Sequence, residues 1–174
     1  MEIKKTKFKD LLIIKQKNNS DNRGSLRETF NNKLLKKKFV FEYCTTSKKD
    51  VLRGFHFQSK FKQSKFVNVL KGKILDVVID CRPKSKSFGK HFKTILSEKN
   101  CKSLLIPAGF AHGFLALDKE NIVFYGTDNY RSANNEATIS WNDPIIKINW
   151  PSGKKIISNK DKSGISFKEF VKKI

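Results

Sequence analysis

Cysteine is scarce in this chain. The three present, Cys44, Cys81 and Cys101, are an odd number with no Cys-x-x-Cys spacing. That argues against a disulfide framework and fits reduced thiols in a cytoplasmic protein. Long hydrophobic runs are missing as well. A membrane-spanning helix needs about 18 or more apolar residues in a row, and no such run occurs, so no membrane partner is expected. The opening residues, MEIKKTKFKD, lack the apolar centre of a signal peptide. Arginine is rare too. Of 37 basic residues, only Arg23, Arg27, Arg53, Arg82 and Arg131 are arginines. Bidentate phosphate binders and base readers favour arginine, so the net charge of +21 does not point to nucleic acid. The lysines are spread along the chain and read as compositional bias. Their positive field still draws in small anions.

What is present is a globular composition, with 38% hydrophobic and 11% aromatic residues. Residues 1–174 read as one domain, long enough for a sizeable core. Most of the chain predicts short strands between turn signals. Leu11–Ile14, Ser25–Phe30, Phe39–Thr46, Ile74–Asp80, His91–Leu96, Phe110–Leu117, Ile122–Tyr125 and Ile145–Trp150 fit this pattern. Asn18–Gly24 reads as a turn cluster and Asn129–Glu136 as a loop. Weak helices are expected at Asn31–Lys38 and Lys168–Ile174. Gly24, Gly72, Gly89 and Gly109 sit where turns are needed. Many strands and little helix predict an all-β sandwich or barrel with short peripheral helices.

One stretch concentrates chemistry. Val51–Lys73, VLRGFHFQSKFKQSKFVNVLKGK, sets Arg53, His56, Gln58, Gln63 and Lys65 among apolar residues. In a strand, His56 points away from Phe55 and Phe57. Histidine is the side chain suited to proton transfer near neutral pH, and Arg53 and Lys65 are cations that could meet an anion. A core histidine in an ordinary sheet is the alternative.

VLRGFHFQ, Gln63-Ser64-Lys65, Gly72, DVVID, SFGK, LS, IPAGFAHGF, WNDP and a late WP occur in this order. Together they resemble the dTDP-4-dehydrorhamnose 3,5-epimerase family. DNRGSLRETF resembles the family's DxRGxxxExF, and the resemblance runs from about Ser20 to Asp161. It implies a cupin-type jelly roll, usually a homodimer, with the site inside the barrel and neither metal nor redox cofactor. A cupin metal site wants two or three histidines with a carboxylate. Here His56 is followed two residues on by Gln58, and His91 stands alone.

The implied reaction removes a proton beside a ketone, forms an enolate and returns a proton from the other face. It needs a base, an opposing acid and a group to hold the enolate oxygen. By resemblance the base is His56. Its orienting carboxylate is Asp161, with Asp76 and Asp80 as alternatives. Lys65 faces the oxyanion. Tyr125, thirteen positions after His112, is the acid. Arg23, Arg53 and Lys160 are candidates for the diphosphate or sugar. Glu28, Gln63, His112 and Glu136 complete the implied substrate contacts. For Arg23 and Glu28, a strand-edge ion pair is the alternative.

Where the family has a Gln-x-Asn pair, this chain has Phe41 and Tyr43. Where it has a tyrosine that stacks on thymine, this chain has Arg131. Arginine's planar fork suits the O6 and N7 acceptors of guanine. The expectation is therefore a GDP-linked 4-keto sugar, with a heptose as one option, CDP second and dTDP third. The setting is surface-polysaccharide or deoxysugar biosynthesis. Two other functions remain open: a sugar 3,4-ketoisomerase and a catalytically silent binding module for sugar nucleotides or polyanions.

Overall fold

The computed structural model describes residues 1–173. It contains β1 (Glu2–Lys5), β2 (Leu12–Lys15), β3 (Asn18–Asp21), β4 (Gly24–Arg27), α1 (Asn32–Leu35), β5 (Phe41–Lys48) and β6 (Val51–Gln58). Next come β7 (Lys65–Lys71), β8 (Lys73–Asp80), β9 (His91–Ser97), β10 (Lys102–Ile106), β11 (Phe110–Ala116) and β12 (Glu120–Thr127). The chain closes with β13 (Glu136–Thr138), β14 (Ile156–Ile157), α2 (Asn159–Lys162) and α3 (Phe167–Val171).

Two sheets form a cupin-type jelly roll. The first runs β1-β2-β10-β7-β12-β5 and the second β13-β6-β11-β8-β9, with β14 added beside β6. Inward residues from both sheets, among them Val67, Val69, Val78, Leu104, Phe114 and Val123, form one core cluster. A second cluster, around Phe55, Phe57, Val77 and Phe170, packs outside the second sheet. Among the described residues no helix is long and apolar enough to cross a membrane.

Three local expectations fail. Ile145–Trp150 is not a strand. Asp143 Oδ1 accepts the backbone N–H groups of Ile145 and Ile146 at 2.9 and 3.0 Å, which curls the chain into turns. Lys147 is left-handed at φ 49°, which breaks an extended run. Most of the expected turn cluster at Asn18–Gly24 is strand, since Asn18–Asp21 is β3, paired with β4 across a turn at Asn22 and Arg23, and the strand expected to reach Phe30 stops at Arg27. β1 escaped notice because its lysines give no apolar alternation. It forms by pairing with β2. The C-terminal helix starts at Phe167, where Ser166 and Glu169 form a capping box. Ile174, the last residue of that expected helix, lies outside the described residues.

An irregularity in β6 positions the site. His56 pairs with His112 and Arg53 with Phe114, so three steps on β6 match two on β11. Gly54 is the bulge, at φ +114°. A Cβ there would lie 2.6 Å from the Gly113 Cα, so the two glycines let the strands approach.

Candidate active site

A cleft of about 490 Å³ opens between the sheets. From the second sheet, β6 contributes Arg53 and His56, and β11 contributes His112. From the first, β5 contributes Phe41, Tyr43 and Thr45, β7 Lys65 and β12 Tyr125. Gln63, Arg131, Glu136 and Lys160 complete the wall. Strict alternation would turn Arg53 and His56 to opposite faces. The bulge at Gly54 shifts the period by one, and both side chains line the cleft.

His56 Nε2 lies 2.7 Å from Asp161 Oδ1. The same carboxylate accepts the Gly54 N–H through Oδ2 at 3.2 Å, so the bulge also anchors it. Asp161 sits in the first turn of α2, whose N-cap Ser158 accepts the Asp161 N–H. Burial pushes the Asp161 carboxyl up. The hydrogen bond and charge of His56, with the Gly54 N–H, outweigh that and hold it below the usual carboxylate value. The alternative partners are engaged elsewhere. Asp76 Oδ2 lies 2.7 Å from His112 Nε2. Asp80 holds Arg82, Ser85 and Ser87.

The opposite wall is aromatic. Tyr125 is 5% exposed. Burial, with Tyr43 and Asp76 nearby, pushes its phenol well above the ordinary value. Burial also moves Tyr43 up to about 12, helped by Glu136 and opposed by Arg131. Both phenols are protonated at neutral pH. Burial lowers the Lys65 ammonium to about 8, against the pull of Glu136 and Asp76. Lys65 therefore carries its charge at neutral pH and loses it just above.

The mouth carries an ion-pair cluster. Arg131 donates to Glu136 through Nε at 2.7 Å and Nη2 at 3.0 Å, and Lys160 Nζ donates to the same carboxylate at 2.6 Å. Arg131 holds the Glu136 carboxyl at about 2 against burial, with help from Lys160. Arg53 is fixed by donating to Ser47 Oγ at 3.1 Å and to the Thr46 carbonyl at 3.2 Å. The Gln63 amide is tied to the Asn129 carbonyl at 2.8 Å.

Fourteen residues were expected in the site. Eleven line this cleft, and Asp161 stands behind His56. Arg23 and Glu28 do not join them. Arg23 lies on the exposed β3–β4 hairpin, paired with Asp21 at 2.6 Å, and Glu28 just follows that hairpin. The strand-edge ion pair holds for Arg23, with Asp21 as its partner in place of Glu28. Thr45 was missed, and Asp76 was named only as an alternative partner of His56. Alternation along β5 from Phe41 and Tyr43 would have found Thr45. Nothing local assigns Asp76 to His112, 36 residues away. Among the described residues no group of three or more His, Cys, Asp or Glu is placed to hold a metal ion.

Comparison with known proteins agrees with this geometry. The family model described as dTDP-4-dehydrorhamnose 3,5-epimerase matches residues 5–169. The enzyme of that name from Shigella flexneri is 39% identical over 174 residues, covering 96% of both chains. The one from Methanothermobacter thermautotrophicus is 39% identical over 167 residues, covering 91% of this chain and 90% of that one. Among solved structures, the Bacillus anthracis dTDP-4-dehydrorhamnose 3,5-epimerase with TDP and PPi bound superposes with a TM-score of 0.92 at 35% identity. It covers 95% of this chain and 99% of that one. A dTDP-6-deoxy-D-glucose 3,5-epimerase from Legionella pneumophila, in complex with dTDP-4-keto-L-rhamnose, gives a TM-score of 0.91 at 37% identity. The coverage is 95% of this chain and 92% of that one.

Proposed function

The chain belongs to the dTDP-4-dehydrorhamnose 3,5-epimerase family, an isomerase class, and from that premise we propose that it inverts C3, C5 or both of a dTDP-linked 4-keto-6-deoxy sugar. The observation that carries this reading is the opposition of His56, backed by Asp161, to the protonated phenol of Tyr125 on the facing sheet. The 4-keto group acidifies the neighbouring C–H bonds. His56 takes the proton from one face of the ring, and Asp161 holds the imidazole and stabilises its charged form. The enolate oxygen lies against the Lys65 ammonium. Tyr125 gives a proton to the carbon from the other face. Arg53, Gln63, His112, Glu136 and Lys160 hold the sugar and diphosphate.

The guanine expectation is withdrawn in favour of thymine. It rested on a free Arg131 fork, and that fork is taken up by both oxygens of Glu136. Relatives at 35–37% identity were solved with TDP or a dTDP sugar. Arg23 and Glu28 are read as contributions from a second copy, in a homodimer. What supports this is their place: the hairpin is exposed and lies apart from the residues that line the cleft.

The test is NMR of the dTDP-linked 4-keto sugar in D2O. Deuterium at C3 or C5 with the ketone still at C4 is expected. A ketone moved to C3 would make the protein a ketoisomerase, and no exchange would make it a binding module.

A further inference from the structure

Each inversion, under the roles just given to His56 and Tyr125, leaves one proton too many on His56 and one too few on Tyr125. The deficit is severe at Tyr125. Its ring is 5% exposed, and Tyr43 covers one face with centroids 4.7 Å apart and planes 10° apart. A tyrosinate there lacks solvation, and a bound sugar closes the cleft further.

One side chain lies beside both ends of this imbalance. His112 is the cross-strand partner of His56, which sets their Cβ atoms roughly 5 Å apart. Both rings line the same cleft. The His112 ring also meets Tyr125 edge-on, with centroids 6.0 Å apart and planes at 69°. Asp76 Oδ2 occupies Nε2 at 2.7 Å, so Nδ1 is the nitrogen left to exchange a proton. Asp76 is 0% exposed, and its Oδ1 has no hydrogen-bond partner among the described residues. A half-satisfied buried carboxylate is costly, and a barrel wall kept only for stability would carry an apolar residue there.

We propose that His112 returns the proton from His56 to Tyr125 between inversions, with Asp76 as its positioning residue. The His56 imidazolium gives its proton to Nδ1 of neutral His112. The His112 imidazolium so formed gives a proton to the tyrosinate oxygen. His56 and His112 end neutral and Tyr125 ends as a phenol. The cycle takes up no net proton and no electrons change hands; His56, whose side chain is 36% exposed, exchanges its proton with solvent, so deuterium still reaches C3 and C5. Asp76 steadies the transient imidazolium through Nε2.

The test uses the full chain with its dTDP-linked 4-keto sugar and rapid quenching. His112→Ala is expected to show a burst of about one inversion per site. A steady state at least tenfold slower than wild type then follows, because reloading of Tyr125 limits it. Added imidazole, which fits the space vacated, raises that slow phase several-fold. Asp76→Asn keeps the ring but loses the buried charge. It gives the same burst and slow phase, and it serves where His112→Ala fails to fold. A progress curve with no burst in either variant overturns the relay, as does a slow phase in His112→Ala that ignores imidazole. Failure of the underlying reading looks different: exchange by His56→Asn at the wild-type rate would show that His56 is not the base.

Discussion

Tyr43 and Tyr125 are register partners on β5 and β12, and their rings stack at 4.7 Å within 10° of parallel. The stack seals one face of the proposed acid, and the His112 ring meets it at 69°. Burial keeps the phenol protonated far past neutral pH, so it is loaded for donation. Tyr125→Phe should therefore separate two signals. Deuterium exchange on the His56 face should continue, because base and enolate stabiliser are intact. Inversion should fall by roughly a hundredfold or more. Equal loss of both in NMR time courses would assign Tyr125 to binding.

His56→Asn should lower exchange at C3 and C5 by about a hundredfold to ten-thousandfold, the usual effect of removing a positioned base. Binding of dTDP should survive, since the residues proposed to hold the diphosphate and the base are left unchanged. Calorimetry beside the exchange assay checks both halves.

Lys65 should set an alkaline limit on activity. Its folded-state pKa, about 8, lies below the ordinary lysine value of 10.5. Activity that needs the ammonium should fall as pH rises through about 8. Stability moves the other way. The charged form is disfavoured by folding, so that cost is present below about 8 and is relieved as pH climbs towards the unfolded value. Lys65→Met should cost on the order of 10²–10³ in kcat and remove that alkaline limb. A pH–rate profile whose limb survives in Lys65→Met would sink this role.

The nucleotide is checked by titration calorimetry. With Arg131 committed to Glu136, dTDP should bind at least about tenfold tighter than GDP, a gap of roughly 1.4 kcal/mol. GDP binding as tightly as dTDP would restore the guanine reading.

Gly54→Ala should unfold the site from beneath. The positive φ of +114° disfavours any side chain, and the added methyl would meet Gly113 Cα and His112 O at 2.6 and 2.7 Å. The backbone strain alone costs on the order of 1–3 kcal/mol. A fall of about 5 °C or more in melting temperature is expected. An unchanged melting curve would mean that β6 and β11 can part at no cost.

Much was written locally. Strand alternation placed His56 opposite Phe55 and Phe57, and the structure keeps it so: His56 lines the cleft while both rings join the outer cluster. The β-branched run Ile74–Asp80 became a buried central strand because its residues suit a sheet covered on both faces. Ordered motifs placed eleven of fourteen site residues in one cleft. What the chain could not reveal locally depends on contacts between distant segments. Which aspartate serves which histidine was open until the fold brought Asp161 to His56 across 105 residues and Asp76 to His112 across 36. Arg53 shares a face with His56 only because of the bulge at Gly54, a feature that arises between two strands and breaks the period-two rule. Arg131 looked free for a base in the sequence. In the fold a carboxylate five residues on, turned back by the short helix at Ala133–Asn135, occupies its fork.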